Sequence, residues 1–444
     1  MRGLKSFALL LVAAIGLGAY LYFVESKRTP GGDLPKKDKV FTVEPDTIDE
    51  VTIKSESGDR TTIRRNGTDW QIVQPIAAQV DAAEVSGITS NLSSVEIQRV
   101  IDESPADLKE FGLAEPRIQV TFKAGGKDQT LQIGRKTPTG TDLYAKLGDQ
   151  KRVFLIASFL DSTFNRSTFD LRDKTVLKVE ATKVDSVEVV TSTRTLRFVK
   201  KDGEWDIEQP VATRADFGAV EGLVGTINSA QMKSIAATDA TDLKPYGLDT
   251  PVATVRIGIG SSQAALAIGA SSGEGAVYAR DLSRPAVFTI ESTLLDDLRK
   301  DAGEYRQKDL FDARAFTATR IDVTRNGQTV AFQKTKVKGK DGKDEETWTQ
   351  VAPAARDVDS AKVEALLSVA TNARAMGFVT GSTKTNLDKP ELTVAIGFDQ
   401  GKVDRVTFAR SGADGYAQRA GSPGAATVET ATIDNIIKTL EEIK

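Results

Sequence analysis

The sequence predicts an α+β protein: three tandem repeats, each a mostly antiparallel sheet with one or two helices, behind an N-terminal transmembrane helix. Three observations carry this expectation. A motif W-x4-P-x5-D-x3-V occurs as Trp70, Pro75, Asp81 and Val85, then as Trp205, Pro210, Asp216 and Val220, then as Trp348, Pro353, Asp359 and Val363. It takes up all three Trp of the 444-residue chain, which is how copies of one unit look. The second observation is a fixed step: 135 residues separate Trp70 from Trp205, and the same 135 separate Asp107-Leu108-Lys109 from Asp242-Leu243-Lys244. The third is an uncharged run of 18 residues, Phe7 to Val24, near the start.

That run follows Arg2 and Lys5 and, as a helix, reaches roughly 27 Å, close to the ~30 Å hydrocarbon thickness of a bilayer. Tyr20, Tyr22 and Phe23 gather where an aromatic belt would sit. A signal-peptide cut after Ala19 would fall in the middle of the apolar run, so an uncleaved anchor is the favoured reading over a cleaved signal. Residues 1–25 are thus expected to be the anchor. Residues 26–40, with Pro30-Gly31-Gly32 and Pro35, are expected to be a linker.

The repeats are expected at 41–177, 178–312 and 313–444, the last divergent. In the first, Val51 to Ile53 and Thr61 to Ile63 alternate as a paired start joined through Ser57-Gly58-Asp59. The Trp segment makes a third strand after the Asn66-Gly67 turn. Asp81 opens a helix, with Glu84 placed to complete a capping box, and Val85, Ile88 and Leu92 form its buried stripe. Asp216 and Asp359 open the corresponding helices. A Gly-Leu-x-x-Pro turn follows, at Gly112 to Pro116 and at Gly247 to Pro251; the third repeat keeps Asn386-Leu387-Asp388-Lys389-Pro390. Strands at 118–122, 130–133, 143–145 and 153–156 come next, and a short helix such as Leu294 to Leu298 closes the unit. The third repeat carries an extra charged hairpin tip at Lys338 to Glu346.

Composition limits the chemistry. Charged residues make up 27% of the chain and net charge is −3, so there is no basic field for nucleic acid. The chain has no Cys and no His. That removes thiolate nucleophiles, Ser-His pairs and the commonest metal ligands.

The W-x-I-x-x-P-x5-D motif, the [YF]-G-L-x-x-P turn, the L-x-I-G strand (Leu131 to Gly134, Leu266 to Gly269) and Tyr278-Ala279-Arg280 before Val287-Phe288 are informative together. On these residues the chain resembles the bacterial domain of unknown function 4340 family, over essentially everything after Lys39. The resemblance implies a membrane anchor with tandem extracytoplasmic copies. It carries over no catalytic residue. By association it implies a part in an ABC-type, gliding-motility-like export complex, in the bacterial inner membrane with the bulk of the chain periplasmic.

Each motif has a plain reading beside a functional one. The three Trp could form a stacking surface for sugar or peptide, but their fixed spacing to a strand Pro and a capping Asp favours anchoring sheet to helix. Asp296-Asp297 and Glu345-Glu346 are adjacent in sequence, which does not set two carboxyls across a cleft. Asp357 and Asp359 lack the Gly and Glu of a calcium loop. Gly258-Ile259-Gly260 and Gly273-Glu274-Gly275 read as turns, and no Walker A run exists. Tyr305-Arg306-Gln307-Lys308 and Leu171-Arg172-Asp173-Lys174 read equally as contacts between repeats or as solvated basic turns. The expected function is therefore a non-enzymatic, membrane-anchored scaffold or binding protein. No cofactor, metal or nucleotide is expected, and its partners are a transporter or other envelope proteins. The alternative is a cell-wall carbohydrate- or peptide-binding module. Trp70, Pro75, Asp81, Gly112, Pro116, Trp205, Pro210, Asp216, Gly247, Pro251, Trp348, Pro353, Asp359 and Pro390 are expected to be structural.

Overall fold

A computed structural model describes residues 37–148, 150–338, 344–379 and 382–443. The apolar run Phe7 to Val24 and the tip of the third repeat's hairpin lie outside them. Among the described residues no helix is long and apolar enough to cross a membrane. The chain divides into two compact units, one ending at Asp173 and the other beginning at Lys174. The first unit holds one nine-stranded sheet and the second holds two.

In the first sheet the strands are β1 (Ile48–Lys54), β2 (Arg60–Asn66), β3 (Asp69–Gln74), β4 (Ala78–Gln79), β5 (Arg99–Asp102), β6 (Ile118–Ala124), β7 (Lys127–Lys136), β8 (Asp142–Leu147) and β9 (Val153–Ala157). They lie in the order β4-β3-β2-β1-β6-β7-β8-β9-β5. Two meanders therefore meet at the antiparallel β1–β6 pair, where Val51 faces Phe122 and Ile53 faces Val120. The sheets of the second unit repeat this order strand for strand. The short edge strands β4 and β5 were not foreseen. Two and four residues are too few to show a period, and they become strands only because β3 and β9 offer them open edges.

Helix α1 (Ala82–Ser94) joins edge strand β4 to the opposite edge strand β5, so it must pass over one face of the sheet. Its Val85, Ile88 and Leu92 are buried with Ile53, Ile63, Val120, Phe122, Leu131 and Ile133 of the strands. Each such side chain contributes ~1.5–3 kcal/mol of burial. Asp81 caps α1, accepting from the backbone nitrogens of Ala83 at 3.0 Å and Glu84 at 3.3 Å. The reciprocal half of the capping box is not formed. The Asp81 N–H donates to the Leu171 carbonyl instead, and Glu84 pairs with Arg166 at 2.8 Å. A tertiary acceptor has replaced the local one. In the second unit Asp216 caps α3 (Phe217–Ser229) through the Ala219 N–H, and Asp359 caps α6 (Ser360–Thr371) through the Ala361 N–H.

Each repeat closes on a helix after its last long strand: α2 (Leu160–Phe164) in the first, α4 (Thr293–Leu298) with α5 (Ala302–Tyr305) in the second, and α7 (Thr430–Glu441) in the third. Helix α7 is longer than the short closing helix anticipated from the second repeat. Its Ile433 and Ile436 join the core formed by Val363, Leu366 and Leu367 of α6.

Candidate functional site

The Trp motif builds the same local structure three times. Each Trp sits on a strand directly across from a basic residue of the preceding strand: Arg65 opposite Trp70, Lys200 opposite Trp205, Lys334 opposite Trp348. The cation lies over the indole at 5.2, 5.3 and 5.4 Å respectively, a contribution of ~0.5–1 kcal/mol each. Trp205 and Trp348 are 1% exposed, while Trp70 is half-buried against the first core. Pro75, Pro210 and Pro353 each follow a cis peptide bond at the strand end. The cross-strand cations were missed in the sequence, although a basic residue across each predicted hairpin was the available signal.

Around Trp205 the arrangement is most complete. Its indole N–H donates to Glu221 at 2.8 Å, and Lys200 donates to the same carboxylate oxygen at 2.7 Å. The Lys200 hydrogen bond, followed by that from Trp205, holds the Glu221 carboxyl below the usual range despite burial. A depressed folded-state pKa means the contribution is complete above the unfolded carboxylate range and is lost as pH falls through the folded value. Glu221→Gln is thus expected to cost about 1 kcal/mol at neutral pH and to flatten part of the acid limb of stability. Urea titrations at pH 7 and pH 4 check this; an equal cost at both would exclude the ionised pair.

The remaining signature residues meet in one contact. Residues Lys109–Phe111 form a 3-10 turn started by Asp107, which accepts the Lys109 N–H at 2.8 Å. Gly112 ends it at φ 66°, a conformation that side chains resist, and the Leu113 N–H returns to the Leu108 carbonyl. The turn lies on the L-x-I-G strand so closely that a Cβ on Gly134 would stand 2.1 Å from the Phe111 carbonyl oxygen. Phe111 also packs on Tyr144, with ring centroids 5.1 Å apart. The second repeat reproduces every part: Asp242, Gly247 at φ 63°, Gly269 beneath the Tyr246 carbonyl, and Tyr246 on Tyr278. In the third, Asn386 takes the glycine's place at φ 57° and donates from its amide to the Arg410 carbonyl. No 3-10 turn forms there, and Ala409 stands where the close approach required Gly. Pro116, Pro251 and Pro390 each precede a strand by two residues, outside the ladder that lacks use for them.

Other candidate groups are placed plainly. Asp297 pairs with Lys300 at 2.6 Å, Asp357 is exposed on a two-residue strand, Gly260 and Gly275 occupy turns, and Gly273 ends a strand at positive φ. Among the described residues no cluster of acids is arranged to hold a metal ion.

A polar assembly lies at the junction between the second and third sheets, inside the second unit. Arg306, left open in the sequence between contact and solvated turn, is a contact. Its guanidinium lies 3.7 Å from the centroid of the Phe378 ring and donates to the Pro423 carbonyl at 2.8 Å. Burial lowers its pKa, and no carboxylate pairs with it among the described residues. Nearby, Asp312 pairs with Arg214 and Arg419, and Arg419 pairs also with Asp404. Burial pushes the Asp312 carboxyl up, but Arg419 and Arg214 outweigh that and hold it below the usual range. Asp404 is 4% exposed and accepts the Asp312 and Ala313 N–H groups at 2.6 and 2.9 Å. Asp309 pairs with Arg314 at 3.1 Å and Arg374 at 2.9 Å. Arg214, Arg306 and Arg419 line a cavity of about 30 Å³. Thr213, Arg214, Arg419 and Ser422 line both it and a cleft of about 350 Å³. Among the described residues of this junction no nucleophile is set beside a base.

A family model described as a domain of unknown function (DUF4340) matches residues 70–209 and again residues 205–390. No curated protein matches the chain. Among solved structures the chain is similar to a DNA polymerase sliding clamp from Pseudomonas aeruginosa with ligand, at 9% identity over 87% of this chain and 92% of that one, TM-score 0.17. It is similar also to the DNA polymerase III subunit beta from Pseudomonas aeruginosa, at 9% identity over 86% and 92%, TM-score 0.16. Likeness at that level carries no argument about fold or function.

Proposed function

The chain belongs to the DUF4340 family, a domain of unknown function, and from that premise we propose a non-enzymatic, membrane-anchored scaffold or binding protein. In this reading Phe7 to Val24 is the single anchor, the sheets lie on the extracytoplasmic side, and the protein serves an ABC-type export complex. The observation that carries the proposal is where the repeated residues are spent. Trp205 and Trp348 are buried, Trp70 is half-buried, the three Asp cap helices, and the glycines permit one turn to rest on one strand. Such residues fix the fold of each repeat and leave any binding to the surfaces outside the motif. A carbohydrate-stacking module needs its indoles in solvent, which Trp205 and Trp348 are not.

Crosslinking in intact cells, followed by purification of the tagged full chain from membranes, tests the reading. Recovery of an integral permease together with its ATPase subunit is expected; recovery of neither overturns the exporter assignment. Release of the chain from membranes by alkaline carbonate would overturn the anchor separately.

A further inference from the structure

We propose that the junction between the second and third repeats binds a phosphate-like oxyanion. Three arginines, Arg214, Arg306 and Arg419, line one small cavity there. Two of their N–H groups, Arg306 Nε and Arg419 Nη1, are buried and have no acceptor among the described residues. A buried donor left unpaired costs ~1–3 kcal/mol, more when it belongs to a charged group, so an acceptor is expected at that place.

Charge says which kind. The acids nearest the three arginines are already engaged: Asp309 by Arg314 and Arg374, Asp312 by Arg214 and Arg419, Asp404 by Arg419. With the adjoining cleft's Lys201, Asp206 and Glu208 counted in, five arginines and one lysine stand against five carboxylates, and among the described residues Arg306 is the arginine with no acid of its own. A water molecule fits the cavity and could accept from either N–H, but it leaves the excess positive charge in place. An oxyanion answers both. Guanidinium groups suit phosphate because they present several donors in one plane. The cavity shares Thr213, Arg214, Arg419 and Ser422 with the larger cleft, which offers an anion two hydroxyls and is lined also by Asp206, Lys201 and Glu208, the last paired with Lys201 and Arg197. This assignment does not depend on the exporter reading.

Inorganic phosphate and a phospholipid headgroup share the required chemistry, and calorimetry of the purified full chain separates them. Titration with inorganic phosphate at low ionic strength is expected to show saturable binding that chloride does not reproduce. Arg306→Gln is expected to weaken it at least about tenfold, the size of one lost charge-assisted bond. Glycerol 3-phosphate stands in for the headgroup: tighter binding than phosphate assigns a lipid headgroup, and equal or weaker binding assigns a soluble oxyanion. Should Arg306→Gln disturb folding, Ser422→Asp keeps every arginine and sets a negative charge at the cleft, and it too must weaken binding at least about tenfold. Absence of saturable phosphate binding, or binding unchanged in both variants, means the cavity holds water only and overturns the proposal.

Discussion

Asp404→Ala is expected to cost the second unit about 3–5 kcal/mol, the cost of removing one partner from a buried ion pair. The carboxylate is 4% exposed and does three jobs together. It accepts the backbone N–H groups of Asp312 and Ala313, where the chain passes from the second repeat to the third, and it shares Arg419 with Asp312. Its removal leaves two backbone donors without their acceptor and takes away one of the two carboxylates that compensate the partly buried Arg419 guanidinium. Arg419 keeps its pairing with Asp312, which bounds the loss. Urea denaturation followed by Trp fluorescence checks this, because Trp205 and Trp348 report the second unit and Trp70 the first. Asp404→Asn, which retains an acceptor oxygen, is expected to recover part of the loss. A cost below about 1 kcal/mol for the Ala variant would mean the carboxylate is not the fastening described.

Gly269→Ala is the second large effect, expected at about 2–3 kcal/mol. The added Cβ would meet the Tyr246 carbonyl oxygen at 2.2 Å, and it has the Leu248 side chain and the Gly247 carbonyl carbon at 3.0 and 3.1 Å on its other sides. A backbone oxygen cannot rotate away as a side chain would, so either the 3-10 turn lifts off the strand or the strand bends. The third repeat provides the control. Ala409 stands at the corresponding place without a 3-10 turn above it, so Ala409→Gly is expected to cost only about 1 kcal/mol. Equal costs at the two sites would show that the close approach is not what the L-x-I-G glycine serves.

How legible the fold was in the sequence depended on the range of each interaction. Alternation at Val51 to Ile53 and at Ile118 to Phe122, 3-4 spacing at Val85, Ile88 and Leu92, and the capping Asp81, Asp216 and Asp359 are written within a few residues of one another. Such signals survive in one dimension because each depends on the period of a single element. The capping box at Asp81 and Glu84 shows the limit of that logic. The local partner was available, but the Leu171 carbonyl took the Asp81 N–H and Arg166 took the glutamate.

The junction was illegible for the same reason. Arg214, Asp312, Asp404 and Arg419 come from four separate stretches, and none carries a motif that marks it as one member of a network. Arg306 drew notice only because it falls where one repeat hands over to the next. The sequence by itself determined that one unit recurs, which residues turn and pack within it, and that thiol and imidazole chemistry are absent, since these are matters of local pattern and composition. Only the tertiary structure decided which edges the two-residue strands complete, what lies above each glycine, and where the arginines converge. Those depend on distances between residues far apart along the chain, which folding sets and spacing in the sequence does not.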